Sequence, residues 1–304
     1  MIKIVNLTKR FGENEAVSSL SFAINKGEIF GIVGPDGAGK STLLRLMSTI
    51  LEPDCGSVMI KDVNVHDHPY AIKENLAYMP QRFGLYEDMT VEENIYFFGR
   101  LFGLSKKDIR KREQRLYEFS RLAPFKDRLA GNLSGGMKQK LGLACCLVHS
   151  PEVILLDEPT NGVDPVSRRE FWKILYDLLT EGVTIVVSTA YLDEAERCNR
   201  VAMMYGGRFI TAGSPQKIKT SMNGIFVELT TTNPLMSEML LKDVTEFKGI
   251  VLTGKSLRLF VDDIQKAAAL MTSILEKHKI DILFMKEKLP SLEDCFVDIV
   301  VKGA

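Results

Sequence analysis

The sequence predicts an α/β fold with a parallel sheet, built from about residues 1–86 and 150–218. Apolar, strand-like runs alternate with helical patterns in both segments, which is the order of βαβ units. One apolar run, residues 29–33, leads through a glycine-rich loop into a helical pattern. Another, residues 153–156, ends in two adjacent carboxylates. These three observations together predict the fold class.

The sequence of the first part of the chain predicts two strands, a glycine-rich loop and a helix. Residues 1–7 alternate like a strand and lack the pattern of a signal peptide, residues 29–33 predict a buried strand, and a helix starts at 42–47. The segment between them fits G-x-x-x-x-G-K-[ST]: Gly34, Pro35, Asp36, Gly37, Ala38, Gly39, Lys40 and Ser41. Such a loop presents backbone N–H groups and a helix N-terminus to phosphates. We expect Lys40 to reach the β- and γ-phosphates and Ser41 to hold Mg²⁺; the competing interpretation is an ordinary glycine-rich turn.

The second chemical feature is the acidic pair that follows the apolar run 153–156. Asp157 and Glu158 are costly at the end of a buried strand unless a metal or a substrate needs them. Asp157 is suited to bind Mg²⁺, and Glu158 is suited to orient or deprotonate an attacking water. An acidic surface turn is the alternative, which the fully apolar run before it makes weak.

The middle segment, about residues 87–149, has a helical pattern. Thr90 is the expected N-cap of a helix, with Glu93 as its capping-box partner three residues later. The apolar side chains that follow predict the core-facing side of that helix: Phe97, Phe98, Leu101 and Phe102. Cys145 and Cys146 are expected to pack as small apolar residues.

The last segment, about residues 222–304, predicts a small α+β module of about 80 residues. Residues 225–229, 257–261 and 280–284 read as strands, 264–278 as a helix and the tail from 290 as a final helix. The helix 264–278 is expected to place one side in the core: Ala268, Met271, Ile274 and Leu275. No catalytic group is visible in this module. A dimer contact or a regulatory role is expected, and a passive stabilising cap is the alternative.

Composition narrows the function classes. Lys+Arg and Asp+Glu both number 39 in a chain of 304 residues, so nothing favours a polyanion such as DNA or RNA. No apolar stretch reaches the ~18 residues that a membrane span needs. The five cysteines have no C-x-x-C spacing, which indicates a reduced cytosolic compartment. His66 and His68 have no third ligand group nearby, which favours a solvated loop over a metal site.

A second glycine-containing tract, Leu133-Ser134-Gly135-Gly136-Met137, completes a set of motifs. Over about residues 1–215 the chain is similar to the nucleotide-binding subunit of an ABC transporter. Residues 34–41 match Walker A, 153–157 match Walker B, and 133–139 match the ABC signature, the most specific of the three. Gln81 matches the Q-loop, residues 161–164 the D-loop, and Phe11 the ring that stacks on adenine. The resemblance implies a P-loop NTPase (RecA-like) core with an inserted helical subdomain.

The resemblance implies ATP and Mg²⁺ held between Walker A of one subunit and the signature of another. The nucleotide would contact residues 34–41, Thr42 and Phe11 of one chain, and Ser134, Gly135 and Gly136 of the other. Ser41, Gln81 and Asp157 would bind Mg²⁺, and Glu158, Gln81 and Lys40 would catalyse hydrolysis.

The implied partners are a second ATP-binding subunit, in a homo- or heterodimer, and integral membrane permease subunits at the inner face of the cell membrane; no nucleic acid is implied. A groove for a short helix of the permease would be lined by Phe83, Leu85, Tyr86 and Met89. The C-terminal module is similar to an extension of drug- and antibiotic-resistance exporter ATPases that ends in P-S-L-E-D-x-F, here residues 290–296.

One position departs from the family pattern. The family has a histidine that contacts the γ-phosphate after the strand predicted at 183–189, and this chain has Ala190. A methyl group cannot donate a hydrogen bond, and loss of one such donor costs about 2.7–4 kcal/mol in the transition state. We therefore expect tight ATP binding with slow hydrolysis. A laboratory substitution, or a neighbouring group that replaces the histidine, are alternatives.

Three function classes remain. The first is the ATPase subunit of an exporter whose membrane part is a separate chain. The second is a soluble ABC ATPase of DNA repair or translation. It is disfavoured because only about 50 residues separate Gln81 from Leu133, without heptads and without net positive charge. The third is a nucleotide-gated clamp with little hydrolysis, paired with an active ATPase chain. The transported substrate is not encoded in these motifs.

Overall fold

The computed structural model describes residues 1–82, 84–221 and 225–303. Contacts between residues divide the chain into Met1–Ser214 and Pro215–Ala304. The sequence-based boundary, 218–222, lies a few residues later, because the short helix Pro215–Thr220 belongs to the second unit. Phe83, which was expected to line a groove, lies outside the described residues. None of the described helices is both long and apolar enough to cross a membrane.

The first unit contains strands in two sheets. The strands are β1 (Ile2–Phe11), β2 (Asn14–Ile24), β3 (Ile29–Val33), β4 (Cys55–Ile60), β5 (Val63–Asn64), β6 (Leu76–Met79), β7 (Val153–Asp157), β8 (Thr184–Thr189), β9 (Arg200–Tyr205) and β10 (Arg208–Gly213). The larger sheet has the order β10-β9-β3-β8-β7-β6, and only β10 runs antiparallel to its neighbour. Every residue of β3, β7 and β8 is buried, as expected for parallel strands covered on both faces. The predicted parallel α/β sheet is confirmed.

The first unit also contains an antiparallel sheet of order β2-β1-β4-β5. Of its strands, only β1 was predicted from the sequence. Bulges interrupt the β1–β2 register between Ile4 and Arg10, so the sequence alternation there is imperfect. Side chains from both sheets join one apolar core, together with the first helix of the unit. That helix directly follows the glycine-rich loop, so core packing fixes the position of the loop.

The helices of the first unit are α1 (Lys40–Met47), α2 (Pro69–Lys73), α3 (Val91–Leu101), α4 (Lys106–Ser120), α5 (Gly135–Leu147), α6 (Pro165–Thr180) and α7 (Leu192–Ala195), with 3-10 turns at Ala123–Phe125 and Ala130–Asn132. The predicted capping box of α3 is present. Glu93 N–H donates to Thr90 Oγ1 at 3.1 Å, and Thr90 N–H donates to Glu93 Oε2 at 2.8 Å. Both groups satisfy amides that have no partner within the helix. Cys145 and Cys146 are buried, as predicted.

The predicted core face of α3 is wrong. Its buried positions are Val91, Asn94, Ile95 and Gly99, whereas Leu101 is 68% exposed and Phe102 is 40% exposed. Phe97 and Phe98 are only partly buried. The helix approaches its neighbours through Gly99, where an added Cβ would lie 2.8 Å from the Ile109 side chain. A small residue therefore sets the packed face, and the aromatic residues lie beside it.

The second unit contains strands β11 (Ile225–Thr231), β12 (Phe247–Thr253), β13 (Ser256–Val261) and β14 (Ile282–Lys288), and helices α8 (Pro215–Thr220), α9 (Pro234–Leu241), α10 (Ile264–Lys277) and α11 (Leu292–Gly303). Its antiparallel sheet has the order β12-β13-β11-β14. α9 and β12 were not predicted, and the strand expected at 280–284 lies at Ile282–Lys288. On α10 the buried positions are Ala267, Met271 and Leu275, so Ala267 takes the place expected for Ala268.

Candidate functional site

The glycine-rich loop joins β3 to α1 and closes tightly on itself. Ala38 N–H donates to the Pro35 carbonyl at 3.2 Å. Gly39 has φ = 104°, and an added Cβ there would lie 2.1 Å from the Ala16 carbonyl oxygen. Only glycine fits that backbone and that space. The loop therefore delivers Lys40 as the first residue of α1.

Lys40 is buried against the loop, with a side chain that is only 4% exposed. Its Nζ donates to the carbonyls of Gly34 at 2.8 Å and Pro35 at 3.0 Å. The same nitrogen lies 3.1 Å from Glu158 Oε1. The structure thus brings the loop lysine and the acid after β7 into one ion pair.

Asp157 ends β7 and is surrounded by hydroxyl groups. Its Oδ1 accepts from Ser41 Oγ at 2.9 Å and from Ser188 Oγ at 2.7 Å, and its Oδ2 accepts from Tyr78 OH at 3.3 Å. Burial, followed by the nearby Asp157 charge, raises the pKa of Tyr78 to about 12, so the phenol stays a donor. Asp157 is 1% exposed and makes no ion pair with a Lys or Arg among the described residues. A buried carboxylate beside a serine hydroxyl is a donor set suited to Mg²⁺.

Glu158 has φ = 47°, an uncommon value for a residue with a side chain. Its N–H donates to Ser188, to the carbonyl at 3.1 Å and to Oγ at 3.0 Å, which holds this conformation. Its Oε2 accepts from Gln81 Nε2 at 2.8 Å and from Asn161 Nδ2 at 3.1 Å. Gln81, which the family resemblance makes a metal ligand, thus lies against Glu158 in this structure.

A cavity of about 120 Å³ adjoins Glu158 and contains Ala190 in its wall. Its lining also includes Asp36 from the glycine-rich loop and Tyr191. Ala190 directly follows β8, which pairs with both β3 and β7. The sheet therefore places Ala190 and Glu158 in the wall of one cavity, and the alanine methyl can donate no hydrogen bond there.

Sequence reasoning missed a buried carboxylate under this cavity. Glu194 accepts from Thr189 Oγ1 at 2.8 Å and from Thr160 Oγ1, and it pairs with Arg168 Nε at 3.4 Å. The guanidinium of Arg168 also lies 4.4 Å from the centre of the Tyr191 ring. This network joins the loop after β7 to the loop after β8. The sequence offered only two adjacent acids, Asp193 and Glu194, and the partners of Glu194 include residues remote in sequence.

The signature segment begins α5. Ser134 is the N-cap, and its Oγ accepts from Met137 N–H at 3.3 Å. Ser134 and Gly135 are exposed, whereas Gly136 is buried against Ser167, where an added Cβ would lie 2.5 Å from the serine side chain. No hydrogen bond or ion pair of the described residues joins this segment to the glycine-rich loop. The two predicted halves of the site are therefore not brought together within one chain.

Three other predicted residues are partly or largely exposed. The Phe11 ring, at the end of β1, is 50% exposed, and Lys9 Nζ lies 5.8 Å from its centre. Thr42 is half-buried in the first turn of α1. Tyr86 is 42% exposed, and its ring lies 4.6 Å from that of Phe97.

Tyr86 and the two phenylalanines after it form one aromatic surface, which consists of Tyr86, Phe97 and Phe98. The buried Asn94 holds the backbone of this surface, because it accepts from Tyr86 N–H at 2.9 Å and donates to the Tyr86 carbonyl at 3.0 Å. Leu85 and Met89 beside it are half-buried.

Comparison with known proteins agrees with these motifs. The model of the ABC transporter family matches residues 17–161. The probable multidrug ABC transporter ATP-binding protein YbhF of Escherichia coli (strain K12) is 40% identical over 99% of this chain and 52% of its own length. The chain thus spans about half of that relative. The Nod factor export ATP-binding protein I of Ralstonia nicotianae is 35% identical over 98% of this chain and 92% of its own length.

Solved structures give the same result. A dimeric post-hydrolysis structure of the ATP-binding cassette MJ0796 with ADP and Pi has a TM-score of 0.65 and 27% identity, and covers 70% of this chain and 98% of its own. CbiO1 of Clostridium perfringens, part of the ABC transporter complex cbiONQ, has a TM-score of 0.67 and 28% identity over 72% of this chain and 90% of its own. The fold, the motif geometry and these relatives together show that the chain belongs to the ATP-binding protein family of ABC transporters.

Proposed function

We propose that this chain binds and hydrolyses ATP to power an ABC exporter whose membrane-spanning part is a separate chain. The observation that carries the proposal is the convergence of Lys40, Ser41, Asp157 and Glu158 at the ends of β3 and β7. Lys40 and Glu158 lie 3.1 Å apart, and Ser41 and Asp157 lie 2.9 Å apart. These are a phosphate-binding cation, two metal-binding oxygens and a general base in one place.

Each group has a defined role in the proposed reaction. The backbone of residues 34–39 and the first turn of α1 receive the phosphates, and Lys40 exchanges Glu158 for the β- and γ-phosphates. Ser41 and Asp157, with Gln81, would hold Mg²⁺, which neutralises charge on the phosphate oxygens. Glu158 orients and deprotonates the attacking water, and Asn161 and Gln81 position its carboxylate. Phe11 offers an exposed ring for adenine.

The site is proposed to need two chains. Ser134 and Gly135 are exposed at the N-terminus of α5, where amides and the helix dipole favour an anion. Among the described residues, no hydrogen bond or ion pair joins them to the glycine-rich loop of their own chain. A second ATP-binding subunit, identical or related, would bring its own signature to this γ-phosphate. The MJ0796 cassette, which is similar to this chain, has been solved as a dimer.

Ala190 is proposed to slow hydrolysis while ATP binding is retained. It lines the cavity beside Glu158, and its methyl group gives no hydrogen bond to a γ-phosphate. One missing donor corresponds to a rate loss of about 100- to 1000-fold. A second candidate function follows from the same observation: a clamp that ATP holds closed, paired with a chain that hydrolyses faster.

The membrane partner is proposed to contact the aromatic surface. Tyr86 is 42% exposed and follows Gln81, which contacts Glu158, so this surface is close in sequence to the catalytic groups. Two relatives are named for multidrug transport and Nod factor export, which favours an exporter. The chain would then lie at the cytoplasmic face of the membrane. Its C-terminal unit is proposed to serve in dimer contact or regulation.

The test is steady-state ATP hydrolysis by the native chain and two variants. Glu158→Gln removes the base and sets the blank. We expect the native chain to hydrolyse slowly and Ala190→His to increase the rate about 100-fold. If the native chain is well above the blank and the histidine adds little, the slow-site proposal is wrong. If Ala190→His stays at the blank too, the assignment of Glu158 and Ala190 to one site is wrong.

A further inference from the structure

A second, larger cavity lies at the N-terminal ends of the parallel strands, opposite the ends that carry the phosphate loop. We call it the basal pocket; its volume is about 600 Å³. Residues 150–152 and 181–183, which line it, immediately precede β7 and β8, and α4 forms another wall. Its main lining side chains are Arg112, Leu116, Phe119, Leu147, Leu178 and Val183. Because Lys40 and Asp157 lie at the other ends of β3 and β7, this pocket is separate from the nucleotide site.

The floor of the basal pocket is apolar. Leu116, Leu147 and Leu178 are at most 8% exposed, so their positions are fixed by the core. Phe119 and Val183 are half-buried and extend this floor. Cavities of about 300–1,000 Å³ with apolar walls and a few polar groups are typical small-molecule sites. The basal pocket therefore has the size and the lining to bury an apolar ligand body.

The two carboxylates at the rim already have cationic partners. Glu181 pairs with Arg115, and Glu152 pairs with Lys61 at 2.5 Å. Arg115 is engaged further, since its guanidinium lies 5.3 Å from the centre of the Phe119 ring. These pairs neutralise the negative charge of the rim.

Two further cations, Arg112 and Lys26, line the rim. Arg112 Nη1 donates to the Val148 carbonyl at 2.8 Å, which fixes the orientation of the guanidinium. Within the described part of the chain, neither Arg112 nor Lys26 forms an ion pair. A guanidinium with one nitrogen held by the backbone still offers donors to a planar carboxylate. The lining has three cations, Lys26, Arg112 and Arg115, and two carboxylates, Glu152 and Glu181, so its net charge is positive above an apolar floor.

We propose that the basal pocket binds a small amphipathic carboxylate of the medium-chain fatty-acid type. The carboxylate accepts from Arg112 and lies near Lys26, and the hydrocarbon chain covers Leu116, Phe119 and Leu178. Charge-assisted hydrogen bonds give orientation, and apolar burial gives most of the affinity. This binding function goes beyond ATP hydrolysis, and it can hold even if the proposed transport function is wrong.

The experiment is calorimetric titration of the full chain with decanoate, below its micelle concentration. Decanol and decyltrimethylammonium, which have the same chain length without the negative charge, are the matched ligands. We expect saturable one-site binding of decanoate and at least tenfold weaker binding of both other ligands. Lys40→Ala should bind decanoate normally, because its change lies at the nucleotide site.

Variants locate the site. Arg112→Gln should weaken decanoate binding at least tenfold, since it removes a charged donor. Arg110→Gln is the matched control, an exposed arginine of the same helix outside the pocket lining. Val183→Phe should weaken binding by filling the cavity, and it replaces Arg112→Gln if that variant does not fold. Absence of saturable binding, equal binding of the cation, or unchanged affinity in Arg112→Gln or Val183→Phe would each overturn the proposal.

Discussion

The two halves of the candidate nucleotide site differ in how far one chain completes them. Around Lys40 the polar side chains are buried and already have partners: Gly34, Pro35 and Glu158 surround the ammonium. The signature segment is different. Ser134 and Gly135 are exposed, and within the described residues the hydrogen bond of the Ser134 side chain is to Met137 N–H in the first turn of its own helix.

The difference separates a half whose polar groups stabilise the fold from a half whose polar groups face solvent. Buried polar groups without partners cost free energy, so the groups around Lys40 must satisfy one another whether or not a substrate is bound. An exposed helix N-terminus has no such cost, because water satisfies its amides. A site shared by two chains predicts this asymmetry. The variants below test each half separately, from the largest expected effect to the smallest.

The largest effect is expected from Lys40→Ala. It removes the buried ammonium that contacts two loop carbonyls and Glu158, and it leaves the β- and γ-phosphates without their cation. We expect Mg-ATP affinity to fall at least 100-fold, which corresponds to about 2.8 kcal/mol or more. Binding is measured with a fluorescent ATP analogue. Lys61→Ala, an exposed lysine in an ion pair with Glu152, is the control and should bind normally. Normal binding by Lys40→Ala would place the phosphates elsewhere.

The next effect is expected from Ser134→Arg in the exposed half. The side chain is at the surface, so the fold should tolerate a larger residue. We expect ATP binding by the single chain to be unchanged and the ATPase rate to fall at least tenfold, because the second chain can no longer approach the γ-phosphate. The rate and the ATP dissociation constant are measured on the same preparation. A normal rate in this variant would contradict the two-chain site.

A smaller effect separates two adjacent glycines of the signature. An added Cβ at Gly136 would lie 2.5 Å from the Ser167 side chain, whereas at Gly135 it would meet nothing within 4 Å. Gly136→Ala should therefore lower the free energy of unfolding by about 1–3 kcal/mol. Gly135→Ala should leave it unchanged or slightly higher, because alanine favours helix. Urea unfolding measures both. Equal stability of the two variants would mean that Gly136 does not pack against α6 as described.

The same contrast explains how much the sequence could predict. The phosphate loop, the acids after β7 and the capping box at Thr90 and Glu93 were predictable, because each motif is local in sequence and has one chemical purpose. The interaction partners that lie far away in the sequence were not predictable. The carboxylate of Glu194 accepts a hydrogen bond from Thr160 and forms an ion pair with Arg168, which are 34 and 26 positions earlier in the chain.

The sequence also failed to predict the face of α3 that packs through a small residue. The spacing of Phe97, Phe98, Leu101 and Phe102 fits a buried helix face as well as the spacing of the residues that are actually buried. Gly99 decides the question, because the closest helix contact forms where no side chain intervenes. Hydrophobic periodicity measures how apolar each face is, and close approach is invisible to it. In the antiparallel sheet, bulges break the alternation in the same way.

The smallest effect is a pH dependence that arises at the C-terminal end of α5, the helix whose N-terminus carries the exposed half. His149 follows α5, the helix that begins at Ser134; its ring stacks on Phe102 at 3.8 Å, and Nε2 lies 3.3 Å from the Leu76 carbonyl. Burial, and then the charge of Arg112, lowers the pKa of His149 to about 4. Its unfolded pKa is about 6.5, so between these values the unfolded chain binds the proton and the folded chain does not. Stability is therefore full above pH ~6.5 and decreases as the pH falls toward 4.

Comparison of the native chain with His149→Phe, which keeps a ring and cannot titrate, isolates this contribution. Because the imidazole is partly exposed, we expect the native chain to lose only about 1–2 kcal/mol more than the variant between pH 7 and pH 4.5. Urea unfolding followed by the fluorescence of Trp172, the single tryptophan, reports on the first unit. His66, whose pKa burial also lowers, is present in both proteins and cancels in the difference. Parallel pH profiles of the native chain and His149→Phe would show that His149 does not contribute to the pH dependence. Diverging profiles, with His278→Asn matching the native chain, would show that acid destabilises the C-terminal end of α5. The groups around Lys40 include no histidine, so acid would leave that half of the site unchanged.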